Sequence, residues 1–405
     1  MKILFLTDNF PPEVNAPAIR TFEHCREWVL QGHEVTVLTC APNFPKGKLF
    51  EGYKNKLSQT ELIDGIKVIR VWSYMSANTG TIKRIIDYLS YAWMAFWRGL
   101  FLKTDVIIGT SPQFFTINAA YLLSVCKRKK WFLEVRDLWP ESIKAVGAIK
   151  NKKAIQILET VELFLYRKAT RIIVVTDSFK KNIVDRGILE TKIDIIKNGI
   201  LKEKFKTKSE NKNLKEALGI PEDKIVVGYV GTHGLSHRLD FIIRSAVYFK
   251  EKYVFLFIGD GADKESLVNL KQSIAAENVL MLDSLSQKEI LPYLQILTIS
   301  LVNLKKSDTF KTVIPSKIFE AAACRKPILL GVEGEAKELI NTYQAGLAFE
   351  PENLEDFIRQ LNRLSTDQKL YDNCQKGCDQ LVEDFDRRKL ASTMLDIIKK
   401  ENHAK

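Results

Sequence analysis

The 405-residue chain is 46% hydrophobic and 27% charged, which excludes a disordered tail, a collagen-like repeat and a disulfide miniprotein. Its net charge is +12, and residues 1–200 hold +11 of it, with 30 basic against 19 acidic side chains. A half so cationic is expected to face an anion, whether phosphate, nucleic acid or a lipid surface; the near-neutral second half is under no such demand.

In chain order, the opening MKILFLTDNFPPE has no charged region leading into a long apolar run and a cleavage site, so no signal peptide is expected. Its short aliphatic run reads as a buried strand. Further strand-like runs follow at 34–40, 66–72, 105–111, 131–137 and 171–177, then at 225–232, 253–261, 278–284, 297–303 and 326–332. Most are continuous in Val, Ile and Leu, as parallel strands covered on both faces should be. Helix-like stretches at 17–31, 151–169, 239–251 and 353–364 alternate with them. The expected fold class is α/β, with two doubly wound Rossmann-like sheets. The polar run KEKFKTKSENKNLKEA (202–217) reads as a linker. It divides the chain into an N-terminal domain over 1–205 and a C-terminal domain over 206–385. The amphipathic RRKLASTMLDIIKK (387–400) places a last helix in 386–405, packing near or back onto the first domain. Six cysteines, at 25, 40, 126, 324, 374 and 378, are too scattered for a secreted framework and suit a reducing compartment.

Open parallel sheets collect ligands at the carboxyl ends of their strands, and two such sheets on one linker would face each other across a cleft. After the first strand of the second domain come Gly231, Thr232, His233 and Gly234, a turn that lets backbone approach a phosphate or sugar, or else a plain βα turn. Gly259-Asp260-Gly261 follows the next strand. No strand is followed by G-x-G-x-x-G, which argues against a dehydrogenase. In IPSKIFEAAACRKPILLG (314–331), Pro315 and Ser316 read as a helix start, with Ser316 as cap. Lys317 and Glu320 then share one face, either as a diphosphate and ribose site or as a surface ion pair.

In order along the chain, NFPPE (9–13), GHEVTVLT (32–39), PNFPKG (42–47), RDLWPES (136–142), KNGI (197–200), GTHG (231–234) and PSKIFEAAACRKP (315–327) together resemble retaining glycosyltransferases of family 4, with the two-domain GT-B fold. Within that family the likeness is to bacterial N-acetyl-L-fucosamine transferases of O-antigen and capsule synthesis, and it covers essentially the whole chain. The resemblance implies a nucleotide-sugar donor, usually a UDP-sugar, on the C-terminal domain and an acceptor on the N-terminal domain. Glu320 matches the ribose-binding carboxylate that ends the family's E-x7-E motif, and Ser316 and Lys317 stand where diphosphate contacts are expected. The first Glu of that motif is replaced by Thr312, leaving the backbone N–H groups of Thr312 and Val313 for sugar hydroxyls. The family's arginine and lysine after the first C-domain strand align with Thr232 and His237, so Arg238 is the candidate to replace that charge. Retention without a protein nucleophile implies front-face attack, which needs neither a metal nor any cofactor beyond the UDP-sugar co-substrate. Lys317, Arg238 and Asp137 are the expected catalytic residues.

In the first half, Arg136 and Asp137 end a strand, where the carboxylate either orients an acceptor hydroxyl or pairs with the arginine. Asn15 and Arg20 are the other acceptor-binding candidates, Arg20 being otherwise a helix-surface residue, while Asn198 and Gly199 read as a structural turn. The segment IKRIIDYLSYAWMAFWRGLFLK (82–103) carries six aromatics around Met94, with basic residues at its ends. It is either a helix lying in a lipid interface or a helix of the domain core. With the basic KRKK (127–130), it favours an anionic membrane surface and a lipid-linked, polyprenyl diphosphate saccharide acceptor, hence a cytoplasmic protein held peripherally at the inner face of the plasma membrane. The D-x-D at 384–386 reads as a solvated helix face. The five histidines form no metal set with the cysteines, and no nucleic-acid signature is present, so neither a metal nor a specific nucleic acid is expected. Rival readings are an epimerase or phosphorylase of the same fold, and a non-catalytic nucleotide-sugar-binding partner.

Overall fold

The structure is a computed structural model and describes residues 1–44, 47–76, 81–140, 151–205, 212–286 and 289–403. Pro45 and Lys46 of PNFPKG, Glu141 and Ser142 of RDLWPES, and residues 206–211 of the linker lie outside it. The chain forms two units, Met1–Asn198 with Arg387–Lys405, and Gly199–Asp386.

In the first unit the strands are β1 (Lys2–Leu6), β2 (Glu34–Cys40), β3 (Ser58–Ile63), β4 (Ile66–Val71), β5 (Val106–Thr110), β6 (Lys130–Val135), β7 (Arg171–Val174) and β8 (Ile193–Ile195). They lie in the order β3-β4-β2-β1-β5-β6-β7-β8. All pairs are parallel except β3 with β4. β3 was not expected. Its residues alternate exposed and half-buried, so it lacks the continuous aliphatic signature, and the Asp64-Gly65 turn, both residues at positive φ, was its readable mark. β8 also escaped the sequence reading, being three residues at the far sheet edge.

One face of this sheet is covered by the helix Ala16–Leu30 and the C-terminal helix Arg387–His403. Trp28 donates from Nε1 to the Ala391 carbonyl at 2.8 Å, and Ala391, Met394, Leu395 and Ile398 are fully buried against Ile3, Phe5 and Val35. The other face is covered by the helices Thr81–Leu100, Phe114–Lys127 and Lys152–Lys168. The helix Thr81–Leu100 is two-faced. Tyr91, Ala92 and Ala95 are buried in the core, and the Tyr91 hydroxyl donates to the carbonyls of Leu38 and Thr7 at 2.7 and 3.0 Å. Ile86, Leu89, Trp93 and Trp97 are exposed, Trp93 by 62%. The core reading therefore holds for one face of this helix, and the opposite face carries a bare aromatic stripe.

The second unit has β9 (Ile225–Val230), β10 (Tyr253–Ile258), β11 (Val279–Leu282), β12 (Ile299–Asn303), β13 (Ile328–Gly331) and β14 (Gly346–Ala348), in the order β11-β10-β9-β12-β13-β14 and all parallel. β14, like β8, is a three-residue edge strand that pattern reading passed over. The unit begins at Gly199, seven residues before the expected boundary at 206. Two contacts explain the shift: Ile200 bridges to Asp386 and donates its N–H to the Phe385 carbonyl at 3.0 Å, and the Lys202–Phe205 turn buries Phe205. The D-x-D residues serve this junction, with Asp384 accepting from the Tyr343 hydroxyl at 2.8 Å.

Strand order reverses beside β1 in the first unit and beside β9 in the second, so the crevices lie after β1 and β5, and after β9 and β12.

Arg20 is a correction to the sequence reading. It is 1% exposed and its donors are spent inside the first unit: on Glu134 Oε1 at 2.9 Å, the Lys197 carbonyl at 2.8 Å, Asn198 Oδ1 at 3.2 Å and the Ile196 carbonyl at 2.9 Å. Glu134 also accepts from Thr110 Oγ1 at 2.7 Å. Arg20 thus ties the first helix to β6 and the segment after β8, and at 1% exposure it is closed to an acceptor. Arg20→Ala is expected to destabilise the protein by about 3–5 kcal/mol, because it strands the buried Glu134 carboxylate. Urea unfolding checks this, and a loss below about 1 kcal/mol would show that the pair does not hold the unit.

Candidate active site

The carboxyl end of β9 runs directly into Gly231. Its φ is +135°, and a Cβ there would stand 2.4 Å from Lys317 Cε, so only glycine lets the helix Lys317–Ala323 bring its first side chain across the strand end. At Gly259, after β10, a Cβ would fall 1.8 Å from the Gly231 carbonyl oxygen; the two strand-end turns touch backbone to backbone. His233 is held between them, its N–H donating to the Asp260 carbonyl at 2.9 Å and its carbonyl accepting from Asp263 N–H at 3.0 Å.

The Tyr229 ring floors this site. The Lys317 ammonium lies 4.8 Å from its centroid, and the His233 and His237 rings lie 6.0 and 5.8 Å from it. Among the described residues no carboxylate reaches Lys317 Nζ at ion-pair distance. Burial pushes its pKa down to about 8, with the nearby Glu320 charge opposing the shift. His233 is fully buried, and neither ring nitrogen has a hydrogen-bond partner; His237 Nδ1 and Asn303 Oδ1 are likewise unpartnered. Burial, then the Lys264 charge, lowers the pKa of His233 to about 4; burial, then Lys317, lowers that of His237 to about 3. Both imidazoles are neutral at physiological pH. The result is an unpaired cation beside neutral imidazoles, each with one N–H that can donate to an oxyanion, whereas Asn303 Oδ1, an acceptor, cannot.

Of the residues singled out from sequence, Gly231, Thr232, His233 and Lys317 come together here, with Glu320 one helical turn below the lysine. Others do not match their expected roles. Ser316 has helical backbone angles and makes no side-chain cap bond, so its hydroxyl does not close the helix. Thr312 ends a 3-10 turn, its hydroxyl donating to the Thr309 carbonyl at 3.0 Å, and Val313 N–H turns to the Phe310 carbonyl at 3.4 Å; that N–H is not free for a sugar hydroxyl. Arg238 is paired with Asp240 and Glu352, each at 3.3 Å, so it does not supply the missing free charge. In the first unit Asn15 caps its helix by accepting from Ala18 N–H at 2.9 Å and donates to Asn9 Oδ1 at 2.9 Å. Arg136 is turned inward to the Pro17 carbonyl at 3.2 Å, burial lowering its pKa to about 10. Asp137 is half-buried beside it, with its N–H on Ser111 Oγ at 3.3 Å.

Sequence reasoning missed Tyr229, Asn303 and Lys264. The last holds the β10 and β11 ends by donating to the carbonyls of Gly259 and Leu282 at 2.8 and 2.6 Å. It also missed a carboxylate cavity after β1, although Asp8 stands two residues beyond that strand. An open depression of about 590 Å³ near Val247–Tyr253 lies at the amino ends of the strands, away from this chemistry.

With the geometry in hand, comparison with known proteins identifies the class. The profile of Glycosyl transferases group 1 matches residues 210–380, and that of Glycosyltransferase Family 4 matches residues 18–203. The chain is a glycosyltransferase of the GT-B fold with a family 4 N-terminal domain. Among curated relatives it is similar to WcaI of Escherichia coli strain K12, named for colanic acid biosynthesis, with 23% identity over 88% of this chain and 90% of WcaI. WbjE of Pseudomonas aeruginosa, named as a glycosyltransferase, is 28% identical over 58% of this chain and 59% of its own. Among solved structures, HepE of Anabaena in complex with UDP-glucose superposes with a TM-score of 0.74 at 14% identity, covering 99% of this chain and 100% of HepE. Sucrose-phosphate synthase of Thermosynechococcus elongatus gives 0.77 at 14% identity, covering 98% of each chain.

The glycine turn gives a direct test. Gly231→Ala is expected to cost about 1–3 kcal/mol through backbone strain and displacement of Lys317. Gly234→Ala, whose Cβ would meet His237 Cδ2 at an ordinary 3.6 Å, should stay within about 0.5 kcal/mol. Urea unfolding of both variants checks the contrast, and equal losses would refute the close approach.

Proposed function

We propose that this glycosyltransferase moves a sugar, with retention of configuration, from a UDP-sugar held by the second unit to a lipid-diphosphate-linked saccharide in bacterial surface polysaccharide synthesis. N-acetylfucosamine, or another N-acetylated amino-deoxyhexose, is the first donor sugar to try. The observation that carries the reading is the unpaired Lys317 ammonium at the β9 end, beside the buried and unsatisfied His233. A departing diphosphate gathers negative charge in the transition state, and a fixed cation in a partly dry site stabilises it there. Glu320, one turn below, is placed to accept from ribose hydroxyls. WcaI, named for colanic acid biosynthesis, and HepE, solved with UDP-glucose, support the polysaccharide context and the donor.

Lys317→Ala is expected to lower turnover by about 10²–10³ while weakening UDP binding less, measured by single-turnover transfer and calorimetry. The lysine loses its proton as pH rises through about 8, so wild-type affinity for UDP should fall close to tenfold between pH 7 and 9. Lys317→Arg should flatten that profile, because guanidinium stays charged. Unchanged turnover in Lys317→Ala would discard the site.

The aromatic stripe of the helix Thr81–Leu100 supports the membrane side of the reading. Trp93, Trp97 and the following Phe101 are exposed, and Lys83, Arg98 and Lys103 supply basic charge along the same segment. This combination suits an anionic lipid interface, although no helix among the described residues is long and apolar enough to cross a membrane. Wild-type protein should sediment with phosphatidylglycerol vesicles, and a Trp93→Ser/Trp97→Ser variant should bind at least tenfold more weakly; equal binding would remove the stripe from the interface.

A further inference from the structure

We infer that the cavity at the end of β1 in the first unit is the subsite that receives the hydroxyl-bearing edge of the acceptor sugar, with Asp8 and Asp87 accepting its hydroxyl hydrogens. The inference rests on the transferase reading above and names the acceptor contacts.

The cavity holds about 60 Å³ and is lined by Asp8, Asn9, Glu13, Phe44, Asp87 and Tyr88, with Arg84 and Gln113 among its further walls. It sits where strand order reverses between β1 and β5, the place where a doubly wound sheet opens to ligands. Its size is far below the ~300–1,000 Å³ of a pocket that encloses a whole ligand, so it takes one edge of a ring. Asp8 is 8% exposed. One of its oxygens, Oδ1, accepts from Thr116 Oγ1; the other has no partner among the described residues. That second oxygen is open to the cavity, where a ligand hydroxyl can reach it.

Asp87 reaches the same cavity through the core. Tyr91, one helical turn later, is bonded to the carbonyls of Thr7 and Leu38, which fixes the helix against the ends of β1 and β2. Among the described residues, Asp87 Oδ2 accepts only distant bonds from Ser76, at 3.3 and 3.5 Å. Glu13 is different: it accepts backbone N–H groups from Phe10, Asn43 and Phe44 at 3.2, 2.9 and 2.8 Å, so it shapes the wall and does not bind.

The chemistry of the lining selects a polyol over a cation. Arg84 donates to the Tyr88 hydroxyl at 3.0 Å and brings positive charge to the same wall. Burial raises Asp8 well above the usual carboxylate range, and burial raises Asp87 to about 6. Burial thus disfavours full charge on Asp8, which makes it a poor cation ligand, while Asp87 is ionised at neutral pH and accepts hydroxyl hydrogens. Phe44 and Tyr88 add apolar surface to the lining.

Saturation-transfer NMR on the full chain with methyl glycosides of glucose, galactose, fucose and N-acetylglucosamine tests this without any donor present. At least one glycoside should show ring-proton saturation in the wild type, reduced at least fivefold in Asp8→Asn and in Asp87→Asn, with unchanged thermal midpoints. Asp8→Asn keeps an acceptor for Thr116, so the fold should persist, and stabilisation by UDP should be the same in wild type and variants. Saturation that is as strong in both variants as in the wild type, or absent for every glycoside in the wild type, would overturn the subsite. So would stabilisation by Mg²⁺ or Mn²⁺ that disappears in Asp8→Asn, since the cavity would then hold a cation. Failure of UDP to stabilise the wild type counts against the donor site alone, because the glycoside signal does not depend on it.

Discussion

A parallel sheet covered by helices on both faces has one kind of place left for chemistry, the carboxyl ends of its strands near the point where strand order reverses. That constraint orders both units here. β1 and β9 are central strands with buried aliphatic side chains, and the residues that leave them, Asp8 in one unit and Gly231 in the other, open the two candidate sites. The packing that stabilises each sheet is therefore also what places its reactive groups, since a shift of either strand would carry its site along.

Charge is handled in two opposite ways. The buried Arg20 and Glu134 neutralise each other and satisfy nearly all their hydrogen-bonding atoms within one unit, as a charge removed from water must. Lys317 has only a tyrosine ring beneath it and a carboxylate one turn away. Holding it there opposes its own protonation, and the depressed pKa records that opposition. A structural cation would have been paired. An unpaired one at a strand end is open to an anion that arrives later.

The site was legible in proportion to how local its causes were. Gly231 and Lys317 could be read because glycine turns after strands and a lysine opening a helix are marked by neighbouring residues. Arg20 and Arg136 carry the same charge, and nothing near them in sequence separates a free arginine from a committed one; Arg238 had one local mark, its partner Asp240 two residues on. Glu134, Pro17 and Glu352, which engage them, lie 114 residues or more away. The Asp8 cavity was missed for the related reason that Asp87 is brought to it by a hydroxyl on a helix far along the chain.

The alternation of aliphatic runs with amphipathic ones was enough by itself to establish two doubly wound α/β domains, a cationic first half and a last helix able to pack on a core, because burial on both faces of a parallel strand demands continuous apolar residues. Edge strands such as β3, β8 and β14 escape that demand and were invisible. Only the tertiary structure decided which charges are paired, that one helix is core on one side and bare aromatic on the other, and that the boundary falls at Gly199. Each of these depends on which distant groups meet, and distance along the chain does not encode distance in space.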